Sequence, residues 1–357
     1  MKGKWMPMLV CLLLCVCYTP VSAMGSKTET IQMKTGKKVV SYVYFHPSEN
    51  VELKPVFAQG KVGMAEELNS MAKHNEAIAA INGTFFNAYD HQDLQPQGGI
   101  ASNQQLLHWR GGPTLLGILN NNELFFGSAD SVRIAGSRND SWEWPQAWYA
   151  WFVNHLPTSQ NEIVVFTPQF RTNQLQLPGF SFVNVAQGKV ATITKDQTQI
   201  PSNGFVIAYG SAQAKTAASF QVGDRVAYRV DLPEPFKTWK YLISVGPKLL
   251  TGGKVDVNFQ RDGIRDPKLL TQSAQRSFIG YKNDKTIVMG TVANVTIPQL
   301  AELTQKLGLQ EAMNLDGGAS SGLYYNGKYL TKPGRKLSNC LVVVKKPASK
   351  PAPPDSK

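Results

Sequence analysis

The amino-acid sequence predicts a mixed α+β fold, in which a single domain has a strand-rich core, two packing helices and a strand-rich insertion. Three observations support this prediction. Short apolar runs rich in Val, Ile, Tyr and Phe recur along the chain, Gly, Asn and Pro separate these runs, and only two segments repeat apolar residues with a helical period. The 357 residues are enough to bury an ordinary apolar core.

The N-terminus has the pattern of a secretory signal peptide. Lys2 and Lys4 precede an apolar run at 6–18, and small residues follow at 21–23. The run is shorter than the roughly 20 residues that a membrane-spanning helix needs. We therefore predict a signal peptide at 1–23 and a protein that is secreted or associated with the cell envelope, outside the cytoplasmic membrane, with no transmembrane segment after cleavage.

Composition divides the rest of the chain into three parts. We expect an N-terminal segment at 24–38 and the folded domain at 39–346, with its insertion at about 128–234. Residues 347–357 are rich in Pro and Lys, so they are predicted to form a disordered tail.

The cysteines and the net charge limit the possible classes of protein. Cleavage would leave Cys340 as the single cysteine, so we expect no internal disulfide. The formal net charge is +12, and the loss of Lys2 and Lys4 lowers it to about +10. This charge favours an anionic partner such as an envelope glycan, although a basic surface that serves solubility fits equally well. Basic runs with interleaved aromatics are missing, so nucleic acid is not expected; the oligomeric state stays open.

The individual elements follow from the local patterns. Two helices are predicted, at 64–75, where Met64, Leu68 and Met71 share a face, and at 298–307, which opens on proline. Six apolar runs are predicted as strands: 39–45, 162–168, 204–210, 224–232, 285–292 and 340–346.

The same succession follows both predicted helices. Each is followed by a short connection, an apolar strand and then Asn82-Gly83 or Asp316-Gly317. Because the ends of neighbouring buried strands commonly border one crevice, we expect Asn82 and Asp316 to face a common site. Two unrelated tight turns are the alternative, since Asn-Gly and Asp-Gly are strong hairpin signals.

Neighbouring residues favour a binding site. Phe85 and Phe86 follow the first turn, where exposed aromatics are typical of a sugar or partner surface. Ser320 and Ser321 make the second loop rich in hydroxyls. Arg276 precedes another apolar run, and an arginine there can hold a phosphate or carboxylate, with a surface salt bridge as the alternative.

Four motifs, in this order, resemble the phosphodiester glycosidase family: INGTFFN at 81–87, SVGPKLLTGG at 244–253, QRSFIG at 275–280 and MNLDGGASS at 313–321. The resemblance covers 39–344. Thr84 and Ala319 stand where the family more often has glycine, which bears on the identity of the substrate.

The resemblance implies a secreted hydrolase that cleaves the glycosidic bond of a sugar-1-phosphodiester, such as one in an envelope polysaccharide or a teichoic-acid-like polymer. Because a phosphate is a good leaving group, one carboxylate can suffice. Asp316 would then be the base or the stabiliser of positive charge at the anomeric carbon, Arg276 would bind the phosphate, and Asn82 would orient the sugar or the attacking water.

Further residues are expected to contact the substrate through backbone amides, hydroxyls, aromatic rings or a second cation. They are Gly83, Thr84, Phe85, Phe86, Gly246, Lys248, Gly317, Gly318, Ser320 and Ser321.

No cofactor is expected to be required, and metal ligands stay unknown. The carboxylates of Asp316, Asp262 and Asp266 leave open the binding of a calcium or magnesium ion, although the twelve-residue calcium loop is not present.

Two other functions also stay open: a non-catalytic binding protein for anionic cell-wall polymers, and a phosphodiesterase that cuts the phosphorus–oxygen bond.

Overall fold

The computed structural model describes residues 24–47, 50–90, 93–112, 114–128, 132–232 and 238–346. The predicted signal peptide and the predicted tail lie outside these ranges. Within them, no helix has both the length and the apolar character needed to cross a membrane.

Most of the regular structure in these ranges is β-strand. The strands are β1 (Gly25–Met33), β2 (Gly36–Phe45), β3 (Val51–Phe57), β4 (Ala77–Asn82), β5 (Ile100–Ser102), β6 (Gln105–His108), β7 (Thr114–Ile118), β8 (Leu124–Ser128), β9 (Arg133–Arg138), β10 (Trp148–Ala150), β11 (Phe152–Val153), β12 (Ile163–Phe166), β13 (Gln174–Ala186), β14 (Lys189–Gln199), β15 (Gly204–Tyr209), β16 (Val226–Asp231), β17 (Tyr241–Ser244), β18 (Lys248–Thr251), β19 (Lys254–Val255), β20 (Ala274–Lys282), β21 (Ile287–Val295), β22 (Leu309–Asn314), β23 (Leu323–Tyr325), β24 (Lys328–Thr331) and β25 (Asn339–Lys345).

The α-helices in the same ranges are α1 (Leu68–His74), α2 (Ala214–Ala218), α3 (Pro267–Leu270) and α4 (Ile297–Lys306). The prediction of a mixed α+β fold with a strand-rich core is therefore confirmed, and the fold is mostly β.

Three sheets surround the central core. They are a seven-stranded sheet of order β1-β2-β21-β20-β22-β18-β19, a β4 sheet of order β24-β23-β4-β25-β3, and a β17 sheet of order β6-β5-β17-β7-β8. The side chains alternate between faces as strand geometry requires. On β25, for example, Leu341 and Val343 enter the central core, whereas Cys340 and Val342 pack outward.

Helices α1 and α4 cover the outer faces of two of these sheets. Leu68 and Met71 of α1 pack on the β4 sheet, and Leu300 and Leu303 of α4 pack on the seven-stranded sheet. Helix α4 begins at Ile297, one residue before the predicted start, after a capping box between Thr296 and Gln299.

Helix α1 begins four residues after its predicted start. Glu66 pairs with Leu337 in an isolated β-bridge, and this pairing keeps the backbone extended until Leu68. Met64 therefore lies before the helix and not on its apolar face.

The segment from β9 to β16 provides all the strands of two further sheets, of order β10-β9-β16 and β11-β12-β15-β13-β14. Its Ile163 and Val165 pack with Leu115 and Leu242 from the outer face of the β17 sheet. That this segment is an insertion stays a prediction.

The predicted N-terminal segment at 24–38 is part of a sheet. It forms β1 and the start of β2, and β1 pairs with β2 from Gly25 to Met33, so this segment is the edge of the seven-stranded sheet.

We predict that Leu300→Ala lowers the free energy of unfolding by about 2–5 kcal/mol, because it removes a fully buried side chain between α4 and the sheet. Urea denaturation measures this change. Lys306→Ala is the matched control on the exposed side of the same helix, and we expect it to leave stability within about 0.5 kcal/mol. Equal losses in both variants would contradict the packing described here.

Candidate active site

The ends of β4 and β22 meet, although the two strands belong to different sheets. Asn82 ends β4, and its Nδ2 donates to the backbone oxygen of Asp316 at 2.7 Å. The backbone amide of Asp316 in turn donates to the oxygen of Gly83 at 3.0 Å. The two turns named from the sequence are thus joined directly to each other.

The amide of Asn82 also binds two other segments. Its Oδ1 accepts from the Ser277 hydroxyl at 2.7 Å and from the backbone amide of Gly322 at 3.0 Å. Asn82 is 1% exposed, so it lies beneath the surface of the site. These bonds fix the position of the backbone at Asp316.

Asp316 is half-buried, and its Oδ1 accepts from the backbone amide of Gly317 at 2.8 Å. Burial raises the pKa of its carboxyl from 3.8 to about 6. Hydrogen bonds from Ser320 and Gly317 and the charges of Arg335 and Arg276 favour the ionised form and limit this rise. The carboxyl is therefore positioned to exchange a proton near neutral pH.

Arg276 stands beside this carboxylate on β20. It is 2% exposed, so it does not form the surface salt bridge considered as the alternative. Its Nη2 donates to the backbone oxygens of Lys268 at 2.9 Å and Gln272 at 2.7 Å, which holds the guanidinium plane. Burial lowers the pKa of Arg276, and the charges of Asp316 and Asp266 act against this effect.

The nitrogen Nη1 of Arg276 lies against the second turn. A Cβ added to Gly317 would stand 3.3 Å from Nη1 and 3.1 Å from the backbone oxygen of Gln275. Glycine at 317 therefore permits the close approach of the guanidinium to the Asp316 loop.

Asp316 and Arg276 line one cavity of about 480 Å³, here called the Asp316 cavity. Gly317, Gly318 and Ser320 line it as well. Its volume lies within the usual range of small-molecule sites.

Three cationic or aromatic residues on the wall of this cavity were not identified from the sequence. The ring of exposed Tyr89 lies between Lys268, whose Nζ is 5.2 Å from the ring centroid, and Arg335, whose Cζ is 4.9 Å away. Arg335 also donates to the Tyr89 hydroxyl at 3.2 Å and lowers its pKa. The wall is therefore positively charged.

The first turn contributes less exposed surface than expected. Phe85 and Phe86 both line the Asp316 cavity. Phe85 is half-buried, and Phe86, predicted to be exposed, is only 8% exposed because it packs in the cluster with α1. Thr84 is buried, and its hydroxyl donates to the backbone oxygen of Ser244. The Gly83 amide donates to the backbone oxygen of Asn339, so it is not directed at a ligand.

Three other predicted contacts lie outside the lining of the Asp316 cavity. The Nζ of Lys248 forms an ion pair with Glu311 at 2.8 Å, and both side chains are largely buried. The backbone oxygen of Gly246 accepts from Asn314 Nδ2 at 2.7 Å. Ser321 is 1% exposed, and its hydroxyl has no hydrogen-bond partner among the described residues.

The Asp316 cavity is lined by three cations, Lys268, Arg276 and Arg335, and by two carboxylates, so its charges suit an anion better than a cation.

Asp262, named as a possible metal ligand, accepts instead from the Lys248 backbone amide and from Arg261, both at 2.9 Å or less. Across the described ranges, no three His, Cys, Asp or Glu side chains cluster in a way that could hold a metal.

The model of the phosphodiester glycosidase family matches residues 179–344, a stretch that contains Arg276 and Asp316. No curated protein matches the sequence.

Among solved structures, the chain resembles a hypothetical protein of Synechocystis, with a TM-score of 0.78 and 22% identity over 90% of this chain and 62% of that protein. A candidate exported protein of Burkholderia pseudomallei K96243 has a TM-score of 0.70 and 18% identity over 87% of this chain and 74% of that one. The catalytic domain of zebrafish N-acetylglucosamine-1-phosphodiester α-N-acetylglucosaminidase, auto-inhibited by its pro-peptide, has a TM-score of 0.51. Its sequence identity is 16%, over 92% of this chain and 85% of that domain.

At these identities the structural likeness concerns the fold, and the chain spans less than two thirds of the Synechocystis protein. The match of residues 179–344 to the family model confirms the resemblance, and it contains three of the four motifs, all but INGTFFN at 81–87. Residues 179–344 of the chain are thus similar to the phosphodiester glycosidase family.

Proposed function

We propose that this protein is a hydrolase that cleaves the glycosidic bond of a sugar-1-phosphodiester outside the cytoplasmic membrane. The observation that carries the proposal is the half-buried carboxylate of Asp316 beside the fixed guanidinium of Arg276 in one cavity. The match of residues 179–344 to the phosphodiester glycosidase family model supports it. The positive charge of the chain and of the cavity wall suits a substrate in an anionic envelope polysaccharide or a teichoic-acid-like polymer.

In the proposed reaction, a water molecule attacks the anomeric carbon. The bond between that carbon and the phosphate oxygen breaks, and its electron pair leaves with the phosphate. The ionised Asp316 accepts the proton of the water, and its negative charge also stabilises the positive charge that develops on the sugar. The products are the free sugar and a phosphate monoester.

Arg276 would hold the leaving phosphate. Its Nη2 is occupied by two backbone oxygens, so Nη1, beside Gly317, is the nitrogen proposed to donate to a phosphate oxygen. A charge-assisted bond at this point neutralises the charge that the phosphate gains as the bond breaks.

Asn82 is proposed as a positioning residue and not as a group that touches the substrate. Its buried amide is bound to Asp316, Ser277 and Gly322. It would act by holding the backbone of Asp316 at the distance that the reaction requires.

A non-catalytic binding protein for anionic cell-wall polymers is the second candidate. The cations at Lys268 and Arg335 favour it, because they would hold a polyanion whether or not a bond is cleaved.

The first prediction concerns turnover. The mature protein incubated with a defined sugar-1-phosphodiester is expected to release free sugar, measured by chromatography. Asp316→Asn should lower kcat by about 10²–10⁴-fold, because it removes the base. Asp266→Asn is the matched control, since this exposed carboxylate lines the same cavity, and it should retain most of the activity.

Full turnover by Asp316→Asn would refute the role of Asp316. Binding of the diester by the wild-type protein without release of sugar would favour the non-catalytic candidate.

A second prediction separates glycosidase from phosphodiesterase chemistry. In ¹⁸O-labelled water, attack at the anomeric carbon places the label on the sugar, and mass spectrometry should find it there. Label on the phosphate would show that the phosphorus–oxygen bond is cut and would overturn the proposed reaction.

A third prediction follows from the raised pKa of Asp316. A base must be ionised, so kcat/KM should rise with pH and level off above about 6. Activity that falls as the pH rises through 6 would mean that the protonated carboxyl is the active form.

A further inference from the structure

A second cavity adjoins the Asp316 cavity. It has a volume of about 250 Å³, and it shares with the Asp316 cavity the residues Phe85, Gln97, Asp266 and Leu269. We call it the Arg110 cavity. A group bound in it would lie next to a substrate held by Asp316.

Two exposed arginines, Arg110 and Arg265, line the Arg110 cavity. Neither forms an ion pair or a hydrogen bond with a described residue. Two acidic residues lie in the same wall. Asp262 is neutralised by Arg261, whose Nε lies 2.8 Å from its Oδ1, and Asp266 Oδ1 accepts from the backbone amide of Lys268 at 2.8 Å as the N-cap of α3. Two guanidinium groups are therefore available for an anion at this point.

The Arg110 cavity shares Gln97 and Arg110 with another cavity. This third cavity, of about 500 Å³, is lined in part by Arg110, Arg171 and Gln97. Gln97 lines all three cavities, and its backbone amide donates to the oxygen of Phe85 at 2.8 Å. The three cavities thus border one fixed segment.

We propose that the Arg110 cavity binds a second negative group on the same substrate chain, so that the preferred substrate is an anionic oligosaccharide with at least two negative groups. The group is a phosphate or a carboxylate, because either oxygen anion matches the two guanidinium groups. This inference rests on the proposed function only for the position of the bond that is cleaved.

Calorimetric binding to the Asp316→Asn variant tests the inference, because slow turnover leaves the probes intact. Three synthetic disaccharide probes are compared: one carries a single phosphodiester, one a second phosphodiester, and one a uronate in place of the second phosphodiester. We expect at least one two-anion probe to bind about tenfold or more tightly than the single phosphodiester. The uronate and phosphodiester probes identify which anion is preferred.

Adding Arg110→Ala and Arg265→Ala together should abolish this preference. Arg133→Ala, an exposed arginine on β9 outside the three cavities, is the matched control and should preserve it. Thermal melting and binding of the single-phosphodiester probe report whether each variant is folded, and Arg110→Gln with Arg265→Gln provides a milder pair.

Equal affinity for all three probes, or a preference that survives loss of both arginines, would overturn the inference. Because the readout is binding, wild-type protein that releases no sugar would refute the proposed hydrolysis and leave this result intact.

Discussion

The site depends on one buried amide. Asn82 bonds to the Asp316 backbone oxygen, to the Ser277 hydroxyl and to the Gly322 amide, and so it joins strands from two sheets at the point where both end. Loss of one of these partners would leave a buried polar group unsatisfied and would lower the stability by about 1–3 kcal/mol. The bonds therefore hold the arrangement in one geometry. The rigid sheets behind these turns give Asp316 a fixed position that a free loop would not.

The second constraint is electrostatic. Burial disfavours the charged form of both Asp316 and Arg276, and their opposite charges in one cavity compensate in part. The carboxyl has a pKa of about 6. The backbone oxygens of Lys268 and Gln272 fix Nη2 of the arginine. Lys268 and Arg335 add positive charge around Tyr89, which makes the opening attractive to an anion before it reaches the carboxylate.

The sequence predicted the parts of the site that local patterns encode. Asn82 and Asp316 could be identified because each follows an apolar strand with an Asn-Gly or Asp-Gly turn. Their attachment to different sheets could not, since strand pairing is not local. The ion pair between Lys248 and Glu311 was missed for the same reason, because their strands pair across a long separation. Arg335 had no distinguishing sequence signal, as it resembles any basic residue in a turn.

The central claim is that Asp316 and Arg276 act on the two sides of one sugar–phosphate bond. A crystal structure of the Asp316→Asn variant with an intact sugar-1-phosphodiester tests this most directly. The account predicts a phosphate oxygen within hydrogen-bond distance of Arg276 Nη1 and the anomeric carbon next to the side chain at position 316. A ligand seated with its phosphate away from Arg276, or with its anomeric carbon out of reach of position 316, would contradict it.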